Sequence, residues 1–216
     1  MTDKELKQHV ELALDWEPSV DATDIGVSAD DGVVTLRGTV GSYSEKLTAE
    51  RIALRVYGVK ALANDLQVHL PNGDVRDDTE IAHAALAALK WSTVVPHERL
   101  TVAVTGGRLT LNGMLDWQYQ KDAAARAVGN LTGLTAVINH IIVRPRVKAT
   151  DIRDKIEAAF KRSAEIDARR VNVTVTDGNV ILSGNVHSWA ERQEAERAAW
   201  AAPGVILVDD RLSIVP

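Results

Sequence analysis

Apolar residues recur at every fourth position near the start of the chain, at Leu6, Val10 and Leu14. The spacing returns at Ile81, Ala85 and Leu89, and again at Ile152, Ile156 and Phe160. This is one face of an amphipathic helix. Thr2, Asp78 and Thr150 stand just ahead of the three runs, placed to accept a first-turn amide as N-caps. Two short alternating runs follow each helix: IGVSA and VVTLRGTV, LTVAVT and RLTLNGML, VNVTVT and NVILSGNV. Alternation with period two marks half-buried strands. Asp31-Gly32, Gly106-Gly107 and Asp177-Gly178 separate the runs and suit the positive φ angles of a tight turn, so each pair is read as a β-hairpin. A second helix is expected over 44–57, 118–132 and 190–202. Its small residues recur four apart (Ala49 and Ala53, Ala124 and Val128, Ala195 and Ala199) and let it lie close against a sheet. A last strand carries Leu66 and Val68, Ile141 and Val143, or Leu212 and Ile214.

The pattern is one unit of about 68 residues written three times without a gap. Gly32, Gly107 and Gly178 are spaced by 75 and then 71 residues, as are Gly38, Gly113 and Gly184, and Gly58, Gly133 and Gly204. A repeat of this kind makes each copy a supersecondary unit or small domain of order α-β-β-α-β, expected over 1–71, 78–146 and 147–216. The nine glycines are read as structural. The first set turns the hairpin, the second permits a bulge or the close approach of a helix, and the third ends the second helix as a C-cap. Positions identical in all copies are explained by the shared fold, so specific activity is expected where the copies differ.

Charge is where they differ most. Residues 1–77 carry 14 Asp and Glu against 8 Lys and Arg, residues 78–146 carry 5 against 7, and residues 147–216 carry 11 against 10. An acidic first copy argues against nucleic acid as a partner, since phosphate affinity rests on accumulated cations. No run approaches the roughly 18 apolar residues of a membrane span. The charged opening MTDKELKQHV lacks the apolar segment of a secretory signal. As the chain stands, a cytoplasmic location is expected, or a periplasmic one if a leader has been removed. With no cysteine, disulfides and thiolate metal sites are excluded.

The strand motif VTLRG, LTLNG and VILSG, the hairpin glycine, and the closing pieces GVKALAND, GLTAVINH and GVILVDDR together resemble the BON family, the bacterial domain named from osmotically induced and nodulation proteins. The resemblance covers nearly the whole chain, leaving a short linker near Asn72 to Asp77. It implies an α+β fold of three tandem BON-like domains, each a three-stranded mixed sheet packed on two helices. It also implies an association with phospholipid binding, envelope integrity and osmotic stress.

No catalytic constellation is legible. His9, His69, His83, His97, His140 and His187 do not recur between copies, and none forms a His-x-x-x-His pair. Ser42 and Ser188 lack the turn that exposes a nucleophile. Asn64, Asn139 and Asp210 recur, one per copy, and are read as fixing a loop or an edge. The expectation is therefore no enzyme, no cofactor and no metal site. Glu5, Glu11, Asp15 and Glu17 on the first helix are read as a solvated face, with cation binding a distant third reading.

The aromatic residues carry the functional expectation. Trp16 and Trp91 hold equivalent places at the end of the first helix, at the edge of its apolar stripe, where copy three has Arg162. Trp117 and Trp189 lie near the start of the second helix, with Tyr43 nearby in copy one. Indoles suit the boundary between headgroups and acyl chains, and the second copy adds cations. Lys90, Trp91, Trp117, Tyr119 and Lys121 are the candidate contacts with an anionic phospholipid surface. The alternative is a soluble interaction scaffold for an unknown protein partner, or a self-associating stress protein. In that reading Trp16 and Trp91 are glue buried between copies, because domains near 70 residues are marginal alone.

Overall fold

The computed structural model describes residues 1–144, 151–163 and 166–215. Among these residues six α-helices and nine strands run in the order α-β-β-α-β three times: α1 (Asp3–Asp15), β1 (Ile25–Asp30), β2 (Val33–Val40), α2 (Tyr43–Arg55), β3 (Ala61–Val68); α3 (Asp78–Trp91), β4 (Leu100–Thr105), β5 (Arg108–Leu115), α4 (Gln118–Gly129), β6 (Ala136–Val143); α5 (Ile152–Arg162), β7 (Val171–Thr176), β8 (Asn179–Val186), α6 (Trp189–Trp200), β9 (Leu207–Ile214). Each copy forms its own three-stranded sheet with its second strand in the middle. β1 and β2 pair antiparallel from Ile25↔Gly38 to Asp30↔Val33, while β2 and β3 pair parallel from Val33↔Ala61 to Val40↔Val68. β7, β8 and β9 repeat both registers. The fold is α+β with mixed sheets, as the resemblance implied.

The four-residue stripe of each first helix is the buried one: Leu6, Val10 and Leu14, then Ile81, Ala85 and Leu89, then Ile152, Ile156 and Phe160. It meets the inward positions of the strands, such as Val34 and Leu36, and the alanines of the second helix, where Ala49 and Ala53 are fully buried. In the third copy Ile156, Phe160, Val180, Leu182, Ala195 and Ala199 belong to one core cluster. Alanine at the contact lets the helix axis approach the sheet closely.

Three local expectations are corrected. Thr2 does cap α1, in a capping box where Glu5 N–H donates to Thr2 Oγ1 at 3.3 Å and Thr2 N–H donates to Glu5 Oε2 at 2.7 Å. The cap of α3 is Asp77, however, and Asp78 does other work. Its carboxylate accepts the amides of Gly106 and Gly107, each at 2.9 Å, and pins the hairpin to the helix start. Those amides hold the Asp78 carboxyl below its usual range. Thr150 lies outside the described residues, and α5 is preceded by Asp151, whose side chain makes no capping bond.

The second correction concerns Gly38, Gly113 and Gly184. A Cβ there would collide with the carbonyl oxygen of Asp24, Arg99 or Arg170, main chain leading into the first strand of the same hairpin, and not with a helix. Their φ angles are 122°, 142° and 119°. The third concerns the helix ends: α2 and α6 are capped by Val56 and Ala201, so Gly58 and Gly204 lie beyond the caps, in the turn to the last strand. That turn is tied to the hairpin, because the amides of Lys60, Thr135 and Ile206 donate to the carbonyls of Gly32, Gly107 and Gly178 at 2.8, 2.9 and 2.8 Å.

The chain divides into two compact units, Met1–Gly113 with Lys121–Ile142, and Met114–Gln120 with Val143–Pro216. Within the first unit the first two copies dock. Ser44 Oγ donates to Asn130 Oδ1 at 3.0 Å, Leu47 lies over Gly129 with its Cδ1 3.6 Å from where a Cβ would stand, and Tyr43 hydrogen-bonds the main chain of Val137. Burial pushes the Tyr43 phenol pKa up.

Candidate membrane-facing surface

Trp91 follows Leu89 by two residues, about 200° round the helix, so the face that buries Leu89 turns Trp91 outward. It is 86% exposed, next to Lys90, and Leu86 and Val94 are exposed near the same helix end. Trp16, at the equivalent place, is 88% exposed with Leu12 one turn before it. Both indoles stand clear of the surface, where an edge position half on the core was expected. The expectation that they are glue between copies is corrected for the same reason. Copies one and two meet through Tyr43, Ser44 and Leu47 instead. Trp16 is flanked by Asp15 and Glu17, so only the second copy sets its exposed indole beside a cation.

Trp117 and Tyr119 stack at the start of α4, ring centroids 6.4 Å apart and planes at 29°. Tyr119 is exposed and Trp117 half-buried. Lys121, one turn further, is half-buried, and its carbonyl accepts from Asn139 Nδ2 at 3.3 Å. Trp117 and Tyr119 fall in the second compact unit, while Lys90, Trp91 and Lys121 fall in the first. The candidates thus form two groups, an exposed helix tip and a stacked aromatic pair. Trp189 serves its own core: it packs on the third-copy cluster with the Arg192 guanidinium 4.9 Å from its ring centroid.

The recurring polar residues are structural ties. Asn64 Oδ1 accepts Leu66 N–H at 3.3 Å while its Nδ2 donates to Glu50 at 2.9 Å. Asp210 keeps the first bond and replaces the second by an ion pair with Arg192 at 2.6 Å. Three of the acidic residues expected on the first helix are also engaged locally: Glu5 in the capping box, Glu11 with Lys7 at 3.6 Å, and Glu17, beyond the end of α1, with Ser19. Among the described residues no cluster of His, Asp and Glu could hold a metal ion.

One set of residues escaped the reading of the sequence. Glu45 accepts the amides of Asp21 and Gly41, each at 2.7 Å, and Glu191 accepts those of Asp167 and His187 at 3.0 and 2.6 Å. Each carboxylate thereby clamps the loop before the first strand to the loop before the second helix. In copy two the residue is Gln120, whose Oε1 accepts Asp116 and Trp117 N–H at 3.2 Å each. Pro96 stands where Asp21 and Asp167 stand, and with no N–H it offers the loop no donor for a second oxygen. Glu191 is buried to 6% exposure. Burial alone would raise its pKa, but the His187 and Asp167 amides and the His187 ring outweigh it, and the carboxyl sits below its usual range. The legible signal was the same spacing of 75 and 71 residues, hidden because one copy is an amide.

The sequence matches the BON domain family three times, at residues 2–69, 77–145 and 148–216. It is 31% identical over 145 residues to osmotically-inducible protein Y of Escherichia coli (strain K12), covering 65% of this chain and 72% of that protein. Two structures of CdsD, a structural protein of the type III secretion system of Chlamydia trachomatis, align at 15% and 14% identity. The first alignment covers 98% of this chain and 93% of that one, the second the whole of both. Their TM-scores are 0.28 and 0.27, too low to bear on fold or function.

Proposed function

The chain belongs to the BON family, and from that premise we propose that it is a non-enzymatic protein that binds anionic phospholipid surfaces peripherally. The observation that carries this is the tip of α3, where a nearly fully exposed Trp91 adjoins Lys90, with Leu86 and Val94 exposed nearby. An exposed indole is a poor solute and a good interfacial anchor, and each lysine near an anionic surface adds about 1 kcal/mol. Trp117 with Tyr119, and separately Lys121, are further candidate contacts. No helix among the described residues is long and apolar enough to cross a membrane, which suits attachment from one side. The similarity to osmotically-inducible protein Y extends the proposal to a role under osmotic stress.

Co-sedimentation with neutral and anionic vesicles, at low and high salt, tests it. Salt-sensitive binding to anionic vesicles, with a blue shift of tryptophan fluorescence that Trp91→Ala weakens, is the expected result. Absence of binding to both vesicles overturns the proposal. A second reading, an interaction scaffold, is favoured by the docking of copies one and two through Tyr43, Ser44 and Leu47, which makes repeat-to-repeat association a property of the fold. It predicts a protein partner or a concentration-dependent mass in light scattering, with vesicles ignored.

A further inference from the structure

The third copy carries a groove that the membrane proposal does not use. α5 and β7 border a cavity of about 350 Å³, lined by Arg153, Glu157 and Lys161 of the helix, by Arg169 just before the strand, and by the consecutive residues 171–174. Arg153, Glu157 and Lys161 are four residues apart and share one flank of α5. Arg153 is paired with Glu157 at 2.7 Å, and Lys161 and Arg169 are exposed, so the wall has a surplus of positive charge. At the positions of Arg153, Lys161 and Arg169 the first copy has Lys7, Asp15 and Thr23, and the second has Ala82, Lys90 and Glu98. The concentration of cations is specific to copy three.

The floor of the groove is the side of a strand. Among the described residues β7 lies at the edge of its sheet, bonded to β8 alone. The pair Thr176↔Asn179 flanks the two-residue turn, and Asn185 N–H donates to Arg170 O at 3.2 Å. Hydrogen-bonded pairs alternate along an antiparallel ladder, so Asn172, Thr174 and Thr176 bond to β8, while the main-chain groups of Val171, Val173 and Val175 face the free edge. A row of alternating N–H and C=O groups is satisfied by another extended chain. A compact anion such as phosphate, with one or two hydroxyls at neutral pH, cannot pair with a row of carbonyls and amides that runs along several residues. The cations on the wall select acidic side chains on that chain.

We propose that the α5–β7 groove of the third copy captures an extended acidic peptide segment as a fourth strand of its sheet. The site is independent of the membrane proposal, whose residues all lie in copy two. The test uses the full chain, isotope-labelled, titrated with a nine-residue peptide alternating Glu and Val, its Lys-for-Glu counterpart, and an acidic version interrupted by proline. The acidic strand peptide is expected to bind and to slow amide exchange at Val171, Val173 and Val175. Lys161→Glu with Arg169→Glu, both at exposed positions, is expected to weaken it by about tenfold with thermal stability unchanged, the sum of two surface ion pairs. Equal binding of the proline-interrupted or the lysine peptide overturns the proposal, as does its displacement by equimolar inorganic phosphate. Protection of the same amides by anionic vesicles and not by the peptide would make the occupant a membrane, and also overturns it.

Discussion

At the scale of single residues, the clamp at Glu191 ties the stability of the third copy to pH. Glu191 is held below its usual range in the folded state by the His187 and Asp167 amides. Its contribution is therefore complete above the unfolded carboxyl pKa of about 4.3 and is lost as pH falls through the lower folded value. Gln120 does not titrate. Acid unfolding followed by NMR should show the third copy losing its native signals below about pH 4.3, and Glu191→Gln should remove that dependence at a cost of about 1 to 3 kcal/mol at neutral pH. Gly113→Ala tests a different constraint. The new Cβ meets the Arg99 carbonyl at a φ that side chains rarely adopt, so a loss of about 1 to 3 kcal/mol in thermal unfolding is expected.

At the scale of elements, the first helix of each copy separates packing from contact. Phe160→Ala in α5 should cost about 3 to 5 kcal/mol. Trp91→Ala in α3 should leave stability within about 0.5 kcal/mol and still weaken the tryptophan response to vesicles. Apolar periodicity made the helices and strands legible, because burial on one face leaves a repeat of 3.6 or 2 in the sequence. It made Leu89 core, while Trp91 was read at the stripe edge; the roughly 200° between Leu89 and Trp91 round the helix places the indole outward. The cap of α3 was misplaced by one residue because Asp77 and Asp78 are both competent, and the second is recruited by amides 28 and 29 residues away. Bonds of that span leave no local period, and the reach of Glu45 and Glu191 to amides 24 residues away was missed for the same reason.

At the scale of the whole molecule, the first two copies share an interface built on Leu47 against Gly129, with Tyr43 and Ser44 beside it. Leu47→Asp should leave each copy folded, since Leu47 is 39% exposed, and should uncouple them. Loss of the contact between Ser44 and Asn130 by NMR, with faster proteolysis near Asn72 to Asp77, is the expected outcome. The matching of donors and acceptors also restricts how the array can be rearranged. Tandem copies invite unequal crossing-over, and an exchange falling after Pro96 and before Gln120 would join that proline to a partner glutamate from a neighbouring unit. The recombinant would keep every hydrophobic period and every glycine, yet one carboxylate oxygen would face a ring nitrogen with no hydrogen. Such a hybrid would be penalised at the protein level, a barrier to the homogenisation that erases differences between duplicated sequences.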